Sequence, residues 1–123
     1  MSGDMISLKE NYEFTRAYKR GKCVVHWGLV IYIFKNKTKN NRVGITTSKK
    51  IGKAVQRNRA RRVIRAAYRQ NEELLKTGYD FVFVARAKTA EMKSDDLAKV
   101  MKKLFIKGNV INEKPADQPD TVL

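Results

Sequence analysis

A chain of 123 residues that holds 27 Lys and Arg against 12 Asp and Glu has a net charge of +15, which points to a polyanionic partner. Its hydrophobic content of 42% excludes a disordered polybasic tail, and its length fits one domain with one core. Membrane insertion is not expected, because no apolar run approaches the about 20 residues that a spanning helix needs. The polar segment 1–11 lacks a signal-peptide pattern and the chain has a single cysteine, so we expect a cytoplasmic protein.

The first predicted element is a short helix that begins near Ser7. Ser7 and Glu10 have the spacing of a capping box, and Gly21 is expected to end the helix. Phe14 and Tyr18 lie four residues apart and therefore share a face. Both rings could belong to the core. Alternatively, an amphipathic ring at the edge of a sheet could stack on an unpaired base, a contact worth about 1 to 3 kcal/mol by alanine substitution.

Three stretches of β-forming residues follow. Residues 23–34 are interrupted at 26–28 and predict two short strands, or one strand bent at Gly28. The polar residues 35–41 predict a hairpin loop, after which 42–47 should return as the adjacent antiparallel strand. Gly44 would allow another backbone or a ligand to come close to that strand. Residues 79–85 are apolar on both faces and predict a central strand.

A basic helix separates the last two of these strands. Residues 48–69 contain nine Lys or Arg and no acidic residue, which indicates a phosphate-rich partner. Arginine is frequent here, and its planar guanidinium can bind two phosphate oxygens at once. Gly52 lies just before the helix, where backbone N–H groups could approach an anion. The stripe predicted to face the core consists of Ala60, Val63, Ile64, Ala67 and Leu74.

The last predicted helix begins at Ser94, with Asp95 and Asp96 in its first turn, and ends at Gly108. Its apolar residues recur at helical spacing and predict a core-facing stripe of Leu97, Val100, Met101, Leu104 and Phe105. From residue 112 the composition becomes acidic and includes both prolines of the chain. We therefore predict a folded domain over 1–111, with 26 basic and 9 acidic residues, and a disordered acidic tail over 112–123.

Catalytic motifs are absent from the sequence. The one cysteine and the one histidine, Cys23 and His26, would project to opposite faces of a regular strand, so neither a Cys-His dyad nor a zinc pair is expected. A structural histidine is the simpler interpretation. No phosphate-binding loop, paired carboxylate motif or dinucleotide fingerprint is present. The polypeptide is thus predicted to have no catalytic residue and no metal site.

The run RVGITTSKKIGKAVQRNRARRVIRAAYR, residues 42–69, resembles the protein subunit of bacterial ribonuclease P. The resemblance is most specific at Arg57, Asn58 and Arg59, which match the family's signature. Matches at LKENYEFTRAYKRGK, LVIYIF and YDFVFVARAK extend it over residues 6–108. It implies an α+β fold, a single-domain α-β-β-β-α-β-α sandwich of ribosomal-protein-like type. It also implies a left-handed β-α-β crossover between the third and fourth strands, although the general rule for parallel crossovers favours the right-handed form.

The same resemblance implies a division of labour between protein and RNA. The catalytic RNA of ribonuclease P would remove the 5′ leader of precursor tRNA with Mg²⁺ bound mainly by the RNA, and the protein would hold no cofactor. The residues implied to bind the catalytic RNA are Lys49, Lys50, Lys53, Arg57, Asn58, Arg59, Arg61, Arg62 and Arg65. The residues implied to line the leader-binding cleft are Phe14, Tyr18 and Tyr32. Tyr18 stands where this family often has Phe, so the stacking ring is kept.

Two other functions are compatible with a basic helix. A ribosomal or ribosome-assembly protein would bind structured RNA without an associated enzyme, and cross-linking would then recover ribosomal RNA. An architectural DNA-binding protein would bind duplex DNA with comparable affinity at matched salt, but it would leave the three aromatic cleft residues unexplained.

Overall fold

Helices cover both faces of a four-stranded sheet in the computed structural model, which describes residues 5–112. The elements follow in the order α1 (Asn11–Arg20), β1 (Lys22–His26), β2 (Leu29–Lys35), β3 (Arg42–Thr46), α2 (Ala54–Asn71), β4 (Tyr79–Ala85) and α3 (Ser94–Lys107). This is the predicted α-β-β-β-α-β-α order of an α+β domain. Short 3₁₀ turns at Lys49–Ile51, Glu72–Leu74 and Ala87–Glu91 connect the longer elements.

The strands lie in the order β1-β2-β4-β3. β1 and β2 form an antiparallel hairpin, so of the two alternatives left open at residues 26–28 the structure has two separate strands, and β2 is antiparallel to β4. The prediction that β3 returns next to β2 is wrong, because β4 lies between them and pairs with β3 in parallel. β4 is apolar on both faces and is best buried at the centre. β3 carries Arg42, Gly44 and Thr46 on one face and occupies the edge.

The start of the chain pairs with this edge strand and delays the first helix. The Leu8 N–H donates to the Val43 carbonyl at 2.9 Å, and the Val43 N–H donates to the Ile6 carbonyl at 2.8 Å. Ser7 therefore lies in a β-bridge, and the predicted capping box at Ser7 is wrong. The N-cap is Glu10, three residues later, where the Glu13 carboxylate accepts the backbone N–H groups of Lys9 and Glu10. Gly21 ends α1 as predicted.

The basic helix α2 packs on one face of the sheet together with α3. Ala60, Val63, Ile64 and Ala67 are buried as predicted. Leu74 is 38% exposed, so its assignment to the core stripe is wrong. The reason is that α2 ends at residue 71 and a 3₁₀ turn follows, which rotates position 74 away from the stripe.

The two faces of the sheet have separate cores. Phe81 and Phe83 of β4 meet Phe105 of α3 on one face, with ring centroids 5.1 and 6.2 Å apart. On the other face, α1 packs Ala17 towards Val82. α3 has the predicted bounds, and its stripe is buried apart from the half-buried Val100.

The predicted acidic tail, 112–123, falls outside the described residues except for Asn112, whose N–H donates to the Leu74 carbonyl at 2.7 Å. Within residues 5–112, no helix combines the length and the apolar character that crossing a membrane requires.

Candidate nucleic-acid interface

A cleft lies between α1, β3 and α2, and two of the three aromatic residues predicted for a leader-binding site line it, while the third contacts one of them. Phe14 and Tyr18 of α1 line it together with Thr46 of β3 and Arg61 of α2. The Tyr18 hydroxyl is hydrogen-bonded to the Thr46 hydroxyl at 2.8 Å. The Tyr32 ring of β2 meets the Tyr18 ring edge to face, with centroids 5.0 Å apart. The fold thus brings all three predicted aromatic residues to one side of the sheet.

The Phe14 and Tyr18 rings differ in how much of their surface is accessible to a ligand. Phe14 is half-buried, and its ring lies directly over the backbone of Gly44, where an added Cβ would come within 2.5 Å of Cε1. Gly44 thus permits a close approach, but by the Phe14 side chain and not by the backbone or ligand that was expected. Tyr18 is 39% exposed and presents its ring to the cleft. Phe14 thus combines a packing contact with a place in the lining, and Tyr18 is the more accessible ring.

Cys23 also borders this side of the sheet, although sequence reasoning gave it no place there. It pairs with Tyr32 across the β1–β2 hairpin and is exposed. The neighbouring Cys23 side chain raises the pKa of Tyr32, and burial of the phenol adds to the effect. The phenol is therefore a neutral hydrogen-bonding group at physiological pH. The predicted role of His26 is structural, and its Nδ1 accepts the Gly28 N–H at 2.9 Å.

The cationic side chains of α2 and of the preceding turn lie beside the cleft. Arg61 lines the cleft, and Arg65 lines a neighbouring hollow that shares Phe14 and Arg61 with it. Within residues 5–112, the ion pairs to carboxylates involve Arg16, Arg42 and Lys88, and none involves a cation of 49–69. The positive charge of this surface is therefore not neutralised within the described fold.

Two arginines of the signature also make contacts within the fold. An Arg57 terminal nitrogen donates to the Gly52 carbonyl at 2.7 Å, and Arg59 Nε donates to the Ala90 carbonyl at 2.7 Å. Each bond uses one edge of a guanidinium and orients the remaining donors. Arg59 thereby ties α2 to the 3₁₀ turn Ala87–Glu91 as well as carrying surface charge.

The turn before α2 is fixed by its own hydrogen bonds. Gly52 has a φ of 137°, and a side chain there would collide with Gln56. The Gly52 N–H donates to the Lys49 carbonyl at 3.1 Å, and the Lys53 N–H donates to Gln56 Oε1 at 2.7 Å. The expectation that backbone N–H groups at Gly52 would receive an anion is therefore wrong for these two donors, because both already have acceptors.

An ion-pair network that the sequence did not predict anchors α1 to the sheet. Arg42 binds both oxygens of the fully buried Asp80, at 2.8 Å from Nε and 2.9 Å from a terminal nitrogen. Its other terminal nitrogen donates to Glu13 of α1 at 2.8 Å. Arg16 approaches Asp80 at 3.4 Å and lies over the Phe34 ring. An aspartate in an otherwise apolar central strand was the one sequence signal for this network.

The network also sets the ionisation of its members. The backbone N–H groups of Glu10 and Lys9 lower the pKa of Glu13, and Arg42 lowers it further. The hydrogen bond to Asp80 raises the pKa of Arg42. Both charges are therefore retained at neutral pH. Within the described part of the chain, no group of three His, Cys, Asp or Glu side chains is placed to hold a metal ion.

A helix with an unneutralised cationic surface, placed beside an aromatic cleft on an α+β sandwich, defines a nucleic-acid-binding protein. Comparison with known proteins identifies the family. Residues 4–108 match the Ribonuclease P family model. The chain therefore belongs to the family of ribonuclease P protein components, the RNA-binding subunits of a tRNA-processing ribonuclease.

Individual relatives agree with this assignment. The ribonuclease P protein component of Clostridioides difficile (strain 630) is 49% identical over 98 residues, which cover 79% of this chain and 86% of that protein. The structure of Staphylococcus aureus RNase P protein has a TM-score of 0.77 at 29% identity and covers 89% of this chain and 100% of its own. The RNase P protein from Thermotoga maritima has a TM-score of 0.71 at 27% identity, covering 80% of this chain and 94% of its own.

Proposed function

We propose that this chain binds the catalytic RNA of ribonuclease P through α2 and the 5′ leader of precursor tRNA through the cleft beside α1. The RNA subunit, with the Mg²⁺ that it binds, would break the phosphodiester bond. The observation that carries the proposal is the position of Arg61, which belongs to the cationic surface of α2 and also lines the cleft with Phe14 and Tyr18. Two RNA-binding surfaces are therefore continuous on one small protein.

The electrostatic reason for such a subunit is the repulsion between two RNAs. Catalytic RNA and precursor tRNA are both polyanions, and residues 1–111 carry 26 basic against 9 acidic residues. A cationic body between the two RNAs reduces their repulsion and releases condensed counterions. Binding should therefore weaken steeply as the salt concentration rises.

The cleft suits a single-stranded leader because it offers rings and polar groups without a fixed base-reading pattern. Unpaired bases expose faces that can stack on Tyr18 and Tyr32. Thr47 also borders the cleft, but its hydroxyl oxygen is buried.

Replacement of the exposed cleft ring should remove the preference for precursor tRNA. We expect Tyr18→Ala to reduce the ratio of affinities for precursor and mature tRNA by about 5- to 150-fold, the loss of about 1 to 3 kcal/mol for one stacked base. The measurement is the Kd of the assembled ribonucleoprotein for the two tRNAs at matched salt. Phe14→Ala should act in the same direction, but it also removes the contact with Gly44.

The chain provides a matched control on the same helix. Tyr12 is 62% exposed and lies apart from the cleft, beside Lys19 and Arg20. Tyr12→Ala should leave the affinity ratio unchanged. Equal losses for Tyr12→Ala and Tyr18→Ala would refute a leader site in the cleft. Circular dichroism of both variants establishes that they remain folded.

The identity of the bound RNA can be tested separately by cross-linking and recovery from cells. The proposal expects ribonuclease P RNA and leader-bearing tRNA. Recovery of ribosomal RNA in their place would instead indicate a ribosomal or ribosome-assembly role.

A further inference from the structure

Trp27, the single tryptophan of the chain, stands at the tip of the β1–β2 hairpin and is 60% exposed. Its ring lies beside the His26 ring, with centroids 5.0 Å apart. Lys88 places its ammonium group 5.6 Å from the centre of the indole. An exposed indole ring next to a cation can serve as a stacking platform for an unpaired base.

The turn that carries Trp27 is held in place by hydrogen bonds and packing contacts with the rest of the protein. The Gly28 carbonyl accepts the hydroxyl of the buried Thr89 at 2.6 Å, and the Gly28 N–H donates to His26. Met92 packs its sulfur against Gly28. The Thr89 hydroxyl also accepts the Arg86 N–H at 2.9 Å, which fixes the 3₁₀ turn that presents Lys88. A ring on a fixed turn loses little conformational entropy when a ligand stacks on it.

An accessible strip of sheet connects this turn with the cleft. Thr46 of β3, whose hydroxyl is hydrogen-bonded to Tyr18, lies in register with Val84 of β4. Val84 lies opposite Val30 of β2, which in turn lies opposite Val25 of β1. All four side chains point to the face that α1 covers elsewhere, because strand residues alternate between faces. None of the four is fully buried, and Val25 is exposed. The strip crosses three strand spacings of about 4.8 Å each and ends beside Trp27.

From this continuity we propose that Trp27 and Lys88 form a second stacking platform. It holds an unpaired leader base that lies nearer the 5′ end of the RNA than the bases on Tyr18 and Tyr32. The inference depends on the proposed leader-binding function. The Lys88 charge is available to a phosphate because its pair with Glu91 is long, at 3.6 Å, and exposed on both sides. The apolar strip between the two platforms suits riboses and base faces.

The single tryptophan makes the inference directly measurable in the assembled ribonucleoprotein. Precursor tRNAs with leaders of increasing length are added, and the indole emission is followed. We expect no change with mature tRNA or with the shortest leader, and quenching once the leader is long enough to reach the hairpin. Trp27→Ala should weaken binding of long-leader precursors by about 5- to 150-fold and leave short-leader precursors unaffected.

Two variants serve as controls for the affinity measurement. Trp27→Phe keeps a stacking ring and should retain most of the affinity. Ile106→Ala removes a similarly exposed apolar side chain, 57% accessible, from α3 and should change nothing.

The possible outcomes separate this inference from the function on which it depends. Unchanged emission at every leader length, together with a normal preference for precursor tRNA, would overturn the Trp27 platform and leave the cleft proposal intact. Quenching by the catalytic RNA alone, with no further change on adding precursor, would assign Trp27 to the other RNA and also overturn the inference. Loss of any preference for precursor tRNA in the unmodified complex would instead refute the proposed function.

Discussion

Asp80→Ala is expected to lower the free energy of unfolding by about 3 to 5 kcal/mol, the typical cost of breaking a buried ion pair by removing one of its members. Asp80 is fully buried and accepts two short hydrogen bonds from Arg42. Removing the carboxylate leaves the Arg42 guanidinium with Glu13 as its remaining acidic partner. Because Glu13 belongs to α1, the position of that helix on the sheet should also loosen. Urea unfolding followed by circular dichroism measures the change.

Glu91→Ala is the matched control for this prediction. It removes an exposed carboxylate whose pair with Lys88 spans 3.6 Å, and exposed pairs contribute about 0 to 1 kcal/mol. A loss for Asp80→Ala no larger than that for Glu91→Ala would show that the network does not anchor α1. A partial loss for Asp80→Asn would be consistent with the network, since the amide keeps one acceptor oxygen.

The second large effect is expected on binding of the catalytic RNA. Replacing Arg61, Arg62 and Arg65 together by alanine should reduce the slope of log K against log salt by about three units, one for each phosphate contact removed. The reason is that each bound cation releases condensed counterions from the RNA. The affinity should fall most at low salt, where this contribution is largest. Filter binding over a salt series measures both quantities.

A matched charge change on another helix tests whether position matters. Lys99, Lys102 and Lys103 are exposed on α3, and none of them pairs with a carboxylate within residues 5–112. Their combined replacement by alanine changes the net charge by the same amount. An equal reduction of the salt slope by the two triple variants would contradict a binding site on α2, because total charge alone would then govern the affinity.

Much of the fold could be predicted because local signals agree with the final structure. The interruption at 26–28 allowed for two separate strands, and Gly21 and Gly108 marked the ends of α1 and α3. The position of β3 could not be derived from local signals, because neighbouring strands along the chain usually pair. Here the burial of both faces of β4 determined the order. Ser7 was misjudged since its capping-box spacing does not reveal that the residues on either side of it pair with β3.

The candidate site was predictable to a similar extent and for a similar reason. Helical periodicity separated the buried stripe of α2 from its cationic surface, and the family resemblance pointed to Phe14 and Tyr18, which line the cleft, and to Tyr32, which contacts Tyr18. Contacts between distant parts of the chain gave no such signal. Arg42 meets Asp80 across 38 positions and Glu13 across 29, and Arg59 reaches Ala90 across 31. The strip that leads to Trp27 depends on the register of four strands.

Under the proposed function, the protein brings two RNAs together and the RNA performs the cleavage. The most direct test is a cleavage assay on precursor tRNA over a Mg²⁺ series with the catalytic RNA alone, the protein alone, and both together. We predict that the protein alone cleaves nothing and that adding it to the RNA lowers the Mg²⁺ concentration needed for cleavage. Cleavage by RNA-free protein at a rate that follows its purity would contradict the account.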